Sequence, residues 1–177
     1  MFGIHWLFYA LTAIPVVAFP LNNTEDSCPR TWFAYRDSCY YHASVATDFV
    51  TAQVNCQRMG AALLHTETQE EYKYVTERVK GTSMSWIGFQ EDKNLKYARW
   101  LNGDRLDYNT VNWLMTPEMP WGAFWTNFAK CGAYYYNFTN SASSTLYFPC
   151  TSQLYSTCER NKTLGKFTKP RPYRFKQ

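Results

Sequence analysis

The stretch Met84-Ser85-Trp86-Ile87-Gly88-Phe89 decides the class of fold, because the helical pattern of the chain ends just before it. Its Trp, Ile and Phe side chains favour a short, buried strand. Two aromatic strands, at 32–35 and 39–41, are expected upstream, and two helices follow them. Because further strands come downstream, the order of strands, helices and strands predicts an α+β architecture.

Two helices are predicted between the first strands and this stretch. The apolar residues of the first helix recur at helical spacing and predict one buried face: Phe49, Ala52, Cys56 and Met59. Thr47 is its expected N-cap, and Gly60 is the expected residue just beyond its end. The second helix has an apolar stripe of the same kind: Tyr72, Val75 and Val79. Thr68 is expected to cap it, with Glu70 and Glu71 solvated in its first turn.

Strands and loops are expected throughout the region downstream of residues 84–89. Residues 99–104 predict a strand that enters a tight Asn-Gly turn. Residues 108–155 show no helical period, and segments 131–138 and 147–148 are expected to close a small sheet.

The N-terminal segment, residues 1–18, predicts a signal peptide, because an uncharged apolar run ends in small residues at Val16 and Ala18. The alternative is an uncleaved membrane anchor, which needs about 20 apolar residues. The run reaches that length only if Pro15 and Pro20 are included. Residues 19–27 form a polar linker, and we expect the mature protein to be secreted and extracellular.

The cysteine content fits export. An even number of cysteines in an exported chain predicts three bridges, with about fifteen possible pairings. The six cysteines all follow the predicted signal peptide: Cys28, Cys39, Cys56, Cys131, Cys150 and Cys158. Three glycosylation sequons fit the same compartment: Asn22, Asn137 and Asn161.

The net charge of +4 belongs to the C-terminal tail. Residues 160–177 contain seven Lys or Arg and no acid, whereas the other eleven basic residues are outnumbered by fourteen acidic ones. The isoelectric point therefore does not favour a nucleic-acid-binding domain. The tail is expected to be disordered. It is either a solvated extension or a binding segment for a heparin-like polyanion or an anionic membrane.

A set of motifs in a definite order runs from residue 28 to residue 159. The motifs are Cys28-Pro29 with Trp32 and Cys39-Tyr40, residues 52–63 around Cys56, Trp86-Ile87-Gly88-Phe89, Arg99-Trp100 with Asn102-Gly103, Asn112-Trp113, and Cys131, Cys150 and Cys158-Glu159. Together they resemble a C-type lectin-like domain of the long form. The resemblance implies a double-loop α+β fold, with two helices packed on small antiparallel sheets. It also implies the three bridges: Cys28–Cys39, Cys56–Cys158 and Cys131–Cys150.

Sugar-binding members of this family hold calcium in the long loop, and this chain departs from their pattern. Ca²⁺ takes roughly 6–8 oxygen ligands, several of them usually carboxylates. Between Tyr108 and Cys158 the only acidic residue is Glu118. Residues 145–147, Thr-Leu-Tyr, stand where the resemblance would place Trp-Asn-Asp. We therefore expect no calcium site of that geometry, no other metal and no cofactor.

An aromatic segment interrupted by prolines is left to carry recognition without calcium. Aromatic faces can stack on sugar rings or act as hot spots for a protein partner. The alternative is that these side chains build the core of the loop itself. The candidate ligand-binding residues are Trp113, Glu118, Trp121, Phe124, Trp125 and Asn127.

Catalytic groups are scarce. Bridged cysteines offer no thiolate, and His42 and His65 lack metal-ligand spacing. We therefore expect a secreted, non-enzymatic recognition module that binds carbohydrate or a protein surface, without a membrane span or a nucleic-acid partner. The alternative function is binding of glycosaminoglycan or anionic membrane through the basic tail.

Overall fold

Eight strands and two helices make up the described part of the chain. The computed structural model describes residues 28–79, 84–91, 97–114, 129–139 and 141–162. The helices are α1 (Phe49–Arg58) and α2 (Gln69–Arg78). The strands are β1 (Phe33–Tyr35), β2 (Ser38–Thr47), β3 (Ala62–Leu63), β4 (Ser85–Glu91), β5 (Ala98–Trp100), β6 (Ala129–Asn137), β7 (Ala142–Pro149) and β8 (Leu154–Asn161). The α+β order expected from the sequence is confirmed.

The described strands join into one mixed sheet. Its main path runs β1-β2-β8-β4-β6-β7, with β3 beside β8 and β5 beside β4. The pairs are antiparallel except for β4 and β8, which run parallel with Ser85 opposite Tyr155. The antiparallel pairing that the resemblance implies therefore predominates, and the parallel β4–β8 pair joins the antiparallel strands into a single sheet. Residues 85–89 of the Met84–Phe89 stretch lie in β4, which pairs with β5, β6 and β8.

The helix ends follow the sequence signals with one exception. Asp48 rather than Thr47 caps α1, and its carboxylate accepts a hydrogen bond from the Thr51 backbone N–H at 3.0 Å. Thr47 is still paired with Leu154 as the last residue of β2, so the chain turns into the helix only after it. Gly60 follows the helix with a φ of +66°, as expected.

Side chains from β4 point alternately into two buried clusters. Trp86 belongs to the cluster beneath α1, which also contains Phe49, Ala52, Cys56, Leu63 and Leu154. Ile87 and Phe89 belong to the cluster beneath α2, which also contains Tyr40, Tyr72, Val75, Trp100 and Tyr147. Because both faces of the sheet are covered, residues 85–89 are buried without interruption.

Three disulfides cross-link the described elements, in the pairs that the resemblance implies. Cys28–Cys39 ties the N-terminal segment to β2, Cys56–Cys158 ties α1 to β8, and Cys131–Cys150 ties β6 to the end of β7.

The segment predicted as a basic tail begins inside a strand. Arg160 and Asn161 belong to β8, where they pair with Cys39 and Ser38. The ordered strand therefore extends two residues past the predicted domain end at residue 159. Residues 1–27, which carry the predicted signal peptide and linker, and residues 163–177 lie outside the described part. Within that part, no helix has the length and apolar character needed to cross a bilayer.

Candidate functional site

Residues 115–128, the long loop that the resemblance implies, lie outside the described residues, but the residues on either side of them occupy fixed points on the sheet. At its start, Leu114 N donates to Thr145 O at 2.9 Å, and Thr145 N donates to Asn112 O at 2.6 Å. At its end, Lys130 forms an ion pair of 3.2 Å with Glu91 on β4. The Cys131–Cys150 bridge lies next to this return point. Both ends of the loop are therefore held by β4, β6 and β7.

Trp113 is built into the base of this loop. Its ring lies 5.6 Å from the Phe89 ring and 5.8 Å from the Tyr147 ring, centroid to centroid. Its Nε1 donates to Tyr108 O at 3.0 Å. The indole is partly buried and packs against the core. This contact fits the alternative given above, in which the aromatic side chains serve packing rather than ligand binding. A direct ligand contact through its remaining exposed edge stays a prediction.

The other candidate ligand-binding residues lie outside the described residues: Glu118, Trp121, Phe124, Trp125 and Asn127.

Residues 145–147 stand where the resemblance would place calcium ligands, but their side chains do not fit a calcium ion. Thr145 is fully buried, and its Oγ1 donates to Tyr72 OH at 2.8 Å. Tyr147 packs its ring edge-on against Phe89 at 5.6 Å. Residues 129–158 contain no Asp or Glu, whereas Ca²⁺ sites are built largely from carboxylates. In the ranges that the structure describes, no group of three or more His, Cys, Asp and Glu is placed to hold a metal.

Glu71 of α2 and Glu159 of β8 form a largely buried pair of interacting carboxylates. Glu71 Oε1 accepts from Tyr40 OH at 2.5 Å, and its Oε2 accepts from Glu67 N at 2.8 Å. Glu159 accepts from Ser38 Oγ at 2.8 Å and from His65 N at 3.1 Å. Burial, and then the charge of Glu71, raises the pKa of Glu159 to about 8.

The expectation that Glu71 is solvated is therefore wrong. Its side chain is 8% exposed, because α2 packs this position against Tyr40 of β2. The sequence carries a signal for it, since Thr68 and Glu71 have the spacing of a capping box, in which the glutamate turns back toward the start of the helix. Glu70, the neighbouring residue, is exposed as expected.

Both described histidines are packing residues. His65 lies 4.4 Å from the Trp100 ring, centroid to centroid. His42 Nδ1 hydrogen-bonds with Thr157 Oγ1 at 3.2 Å. Burial lowers the pKa of both imidazoles, which favours their neutral form.

The asparagines of two sequons are among the described residues, and both lie at strand ends. Asn137 closes β6, and its Oδ1 accepts from Thr139 N at 2.9 Å. Asn161 closes β8 and is exposed. Asn22 lies outside the described residues. Glycosylation at all three asparagines stays a prediction.

Comparison with known proteins identifies relatives of this domain. The model of the Lectin C-type domain matches residues 45–160. C-type lectin domain-containing protein 87 of Caenorhabditis briggsae is 32% identical over 165 residues, which cover 86% of this chain and 71% of that protein. The human scavenger receptor C-type lectin carbohydrate-recognition domain superposes with a TM-score of 0.64 at 25% identity, over 76% of this chain and 99% of that domain.

A second structural neighbour is the C-type lectin domain of murine dendritic cell inhibitory receptor 2, solved in complex with N-glycan. It has a TM-score of 0.64 at 19% identity, over 76% of this chain and 99% of that domain. These likenesses confirm the C-type lectin-like α+β fold that the motifs imply, which the structure shows as two helices on a mixed sheet with three disulfides.

Proposed function

This chain belongs to the C-type lectin domain family, and we propose on that premise that it is a secreted recognition module. It binds a glycan or a protein surface without the calcium site of the long loop. It catalyses no reaction, in keeping with the binding role general to the family.

The observation that carries this proposal is the fixed base of the long loop. Hydrogen bonds from residues 112–114 to Thr145, the Lys130–Glu91 ion pair and the Cys131–Cys150 bridge anchor both of its ends. Binding segments are commonly loops held by a rigid scaffold. The loop also carries Trp121 and Trp125, whose large rings suit either a sugar face or a protein hot spot.

We expect ligand binding to persist in EDTA. The mature protein would be tested on a glycan array in calcium buffer and in EDTA, beside a pull-down from tissue of the source organism. The Trp121→Ala/Trp125→Ala double variant should lose at least tenfold in affinity for a ligand that binds the long loop, because it removes two large aromatic side chains. Tyr74→Ala, which removes a 38% exposed aromatic on α2, should bind normally.

Binding that disappears in EDTA would contradict the calcium-free part of the proposal. Capture of no ligand in either assay would overturn the recognition function itself.

The basic tail supports a second candidate function. Since Arg160 and Lys162 lie within the described domain, the tail proper has the remaining five positive charges, at residues 166, 169, 171, 174 and 176. Deletion of residues 163–177 should move elution from a heparin column to lower salt if these charges bind a polyanion. Unchanged retention after the deletion would rule out the tail as the binding segment.

A further inference from the structure

A polar groove of about 420 Å³ lies between α2 and β7, away from the carboxylate pair. Its walls include Glu70, Tyr72, Lys73, Glu77, Asn112 and Ser143. This volume falls within the range of about 300–1,000 Å³ that small-ligand sites occupy. All of the lining residues named here belong to the described part of the chain.

Ser143 gives the groove a hydroxyl without a partner. Its side chain is 3% exposed, and its Oγ has no hydrogen-bond partner among the described residues. The side chain faces α2, because Thr145, two residues along the same strand, bonds to Tyr72 of that helix. A buried hydroxyl without a partner is costly, so this position favours an external donor or acceptor.

Asn112 places an amide beside this hydroxyl. Its Nδ2 donates to Ser143 O at 2.7 Å, which fixes the side chain and leaves Oδ1 as an acceptor. The opposite wall is a stripe on α2 made by Glu70, Lys73 and Glu77. These residues are spaced by three and four positions and so share one side of the helix. The groove therefore combines several acceptors with an ammonium donor and a hydroxyl.

Two aromatic side chains, Tyr136 and Phe138, lie near Ser143 on the neighbouring strand and turn, outside the lining of the groove. Tyr136 lies directly opposite Ser143 in the β6–β7 ladder, so both side chains emerge on the same face. The Phe138 ring contacts the Tyr136 ring edge-on at 5.0 Å between centroids, and Phe138 is 66% exposed. An exposed aromatic at this position can pack against a part of a ligand that extends beyond the groove.

We propose that the α2–β7 groove is a calcium-independent saccharide site that holds one or two sugar units. Sugar hydroxyls both donate and accept, and the groove offers matching carboxylate, amide, ammonium and hydroxyl groups. Two carboxylates against one ammonium disfavour phosphate and other anions. The inference rests on the proposed recognition function and names a ligand class and a second location for it, separate from the long loop.

The probes are methyl α-mannoside, methyl β-galactoside and methyl β-N-acetylglucosaminide with their β-linked disaccharides, titrated against the full mature chain in EDTA. At least one probe should bind the wild-type protein, and Ser143→Ala should weaken that probe at least tenfold. In the unliganded protein the same substitution should leave the thermal midpoint unchanged or raised, because it removes an unpaired buried hydroxyl. A hydroxyl with a merely structural role would instead lower the midpoint.

Substitutions on the exposed wall provide variants that cannot disturb the core. Lys73→Met should weaken the bound probe at least threefold, whereas Arg58→Met removes an exposed cation from α1 and should have no effect. Thr139→Ala removes the Asn137 sequon and leaves the Thr139 N–H bond to Asn137 in place, so it controls for an attached glycan near the groove.

The outcomes separate the groove from the proposed function. One outcome would place the ligand in the long loop. In that case the sugar affinity is unchanged in Ser143→Ala and Lys73→Met but is lost in Trp121→Ala/Trp125→Ala. That result overturns the groove and leaves the recognition function intact. Failure of every probe to bind also overturns the groove, while the array and the pull-down decide the recognition function separately.

Discussion

Replacement of both Cys56 and Cys158 by alanine is expected to lower the free energy of unfolding by about 4–5 kcal/mol. The bridge joins residues 102 positions apart, so in the chain-entropy model it restricts the unfolded chain strongly. Both cysteines are also buried, at 0% and 1% exposure, between α1 and β8. Since domains are stable by only about 5–15 kcal/mol, the variant should be close to unfolding at physiological temperature.

Urea denaturation of the oxidised proteins would measure this loss, with the Cys28→Ala/Cys39→Ala variant as the matched control. That bridge spans only 11 positions, so its removal should cost about 3 kcal/mol in the same model. Equal losses from the two variants would contradict the dependence on loop length. A Cys56→Ala/Cys158→Ala protein with the wild-type midpoint would show that packing alone holds α1 on β8.

The Glu159→Gln variant is expected to be more stable than the wild type in alkaline solution. The pKa of Glu159 is raised from 4.5 to about 8, so between these values the folded protein keeps a proton that the unfolded chain releases. The stability of the wild type therefore falls as the pH rises from about 4.5 through 8. Glutamine stays neutral, so the variant lacks this loss.

The size of the effect follows from the shift. A change of one pKa unit corresponds to about 1.4 kcal/mol, and the side chain keeps some exposure. We therefore expect the advantage of Glu159→Gln over wild type to grow by about 2–3 kcal/mol between pH 5 and pH 9.

Denaturation at the two pH values in EDTA, which keeps divalent cations from the carboxylates, would measure this difference. Glu70→Gln is the control, since Glu70 is exposed on the same helix as Glu71. An identical pH dependence in wild type and Glu159→Gln would show that Glu159 titrates normally.

Local patterns predicted the elements well because their causes lie within a few residues. The helical spacing of Phe49, Ala52 and Cys56 identified the face of α1 that is buried. Gly60 marked the end of that helix, because its φ of +66° is easily adopted only by glycine. The N-cap was misplaced by one residue because strand pairing, a long-range interaction, keeps Thr47 in β2.

Features that join distant segments were not visible in the sequence. The capping-box spacing of Glu71 did not reveal its contact with Tyr40, which lies 31 residues away, or its interaction with Glu159 in β8. The groove combines α2, Asn112 and β7. Its unpaired hydroxyl belongs to Ser143, which no sequence motif singles out. Trp113 was singled out for its residue type, but only the fold shows its ring against Phe89.

The pairing of β2 with the end of β8 brings the two ends of the described chain together. Ser38 lies opposite Asn161, and Lys162 N donates to Asp37 O at 2.8 Å, close to the Cys28–Cys39 bridge. In the sheet order, β7 and the groove lie at the far edge from this point. A surface tether, a fluorescent reporter or a neighbouring module attached at residue 28 or residue 162 would therefore lie at one edge of the sheet and leave the proposed groove open. A short peptide joining residue 162 to residue 28 would also permit new termini to be opened elsewhere, as circular permutation requires.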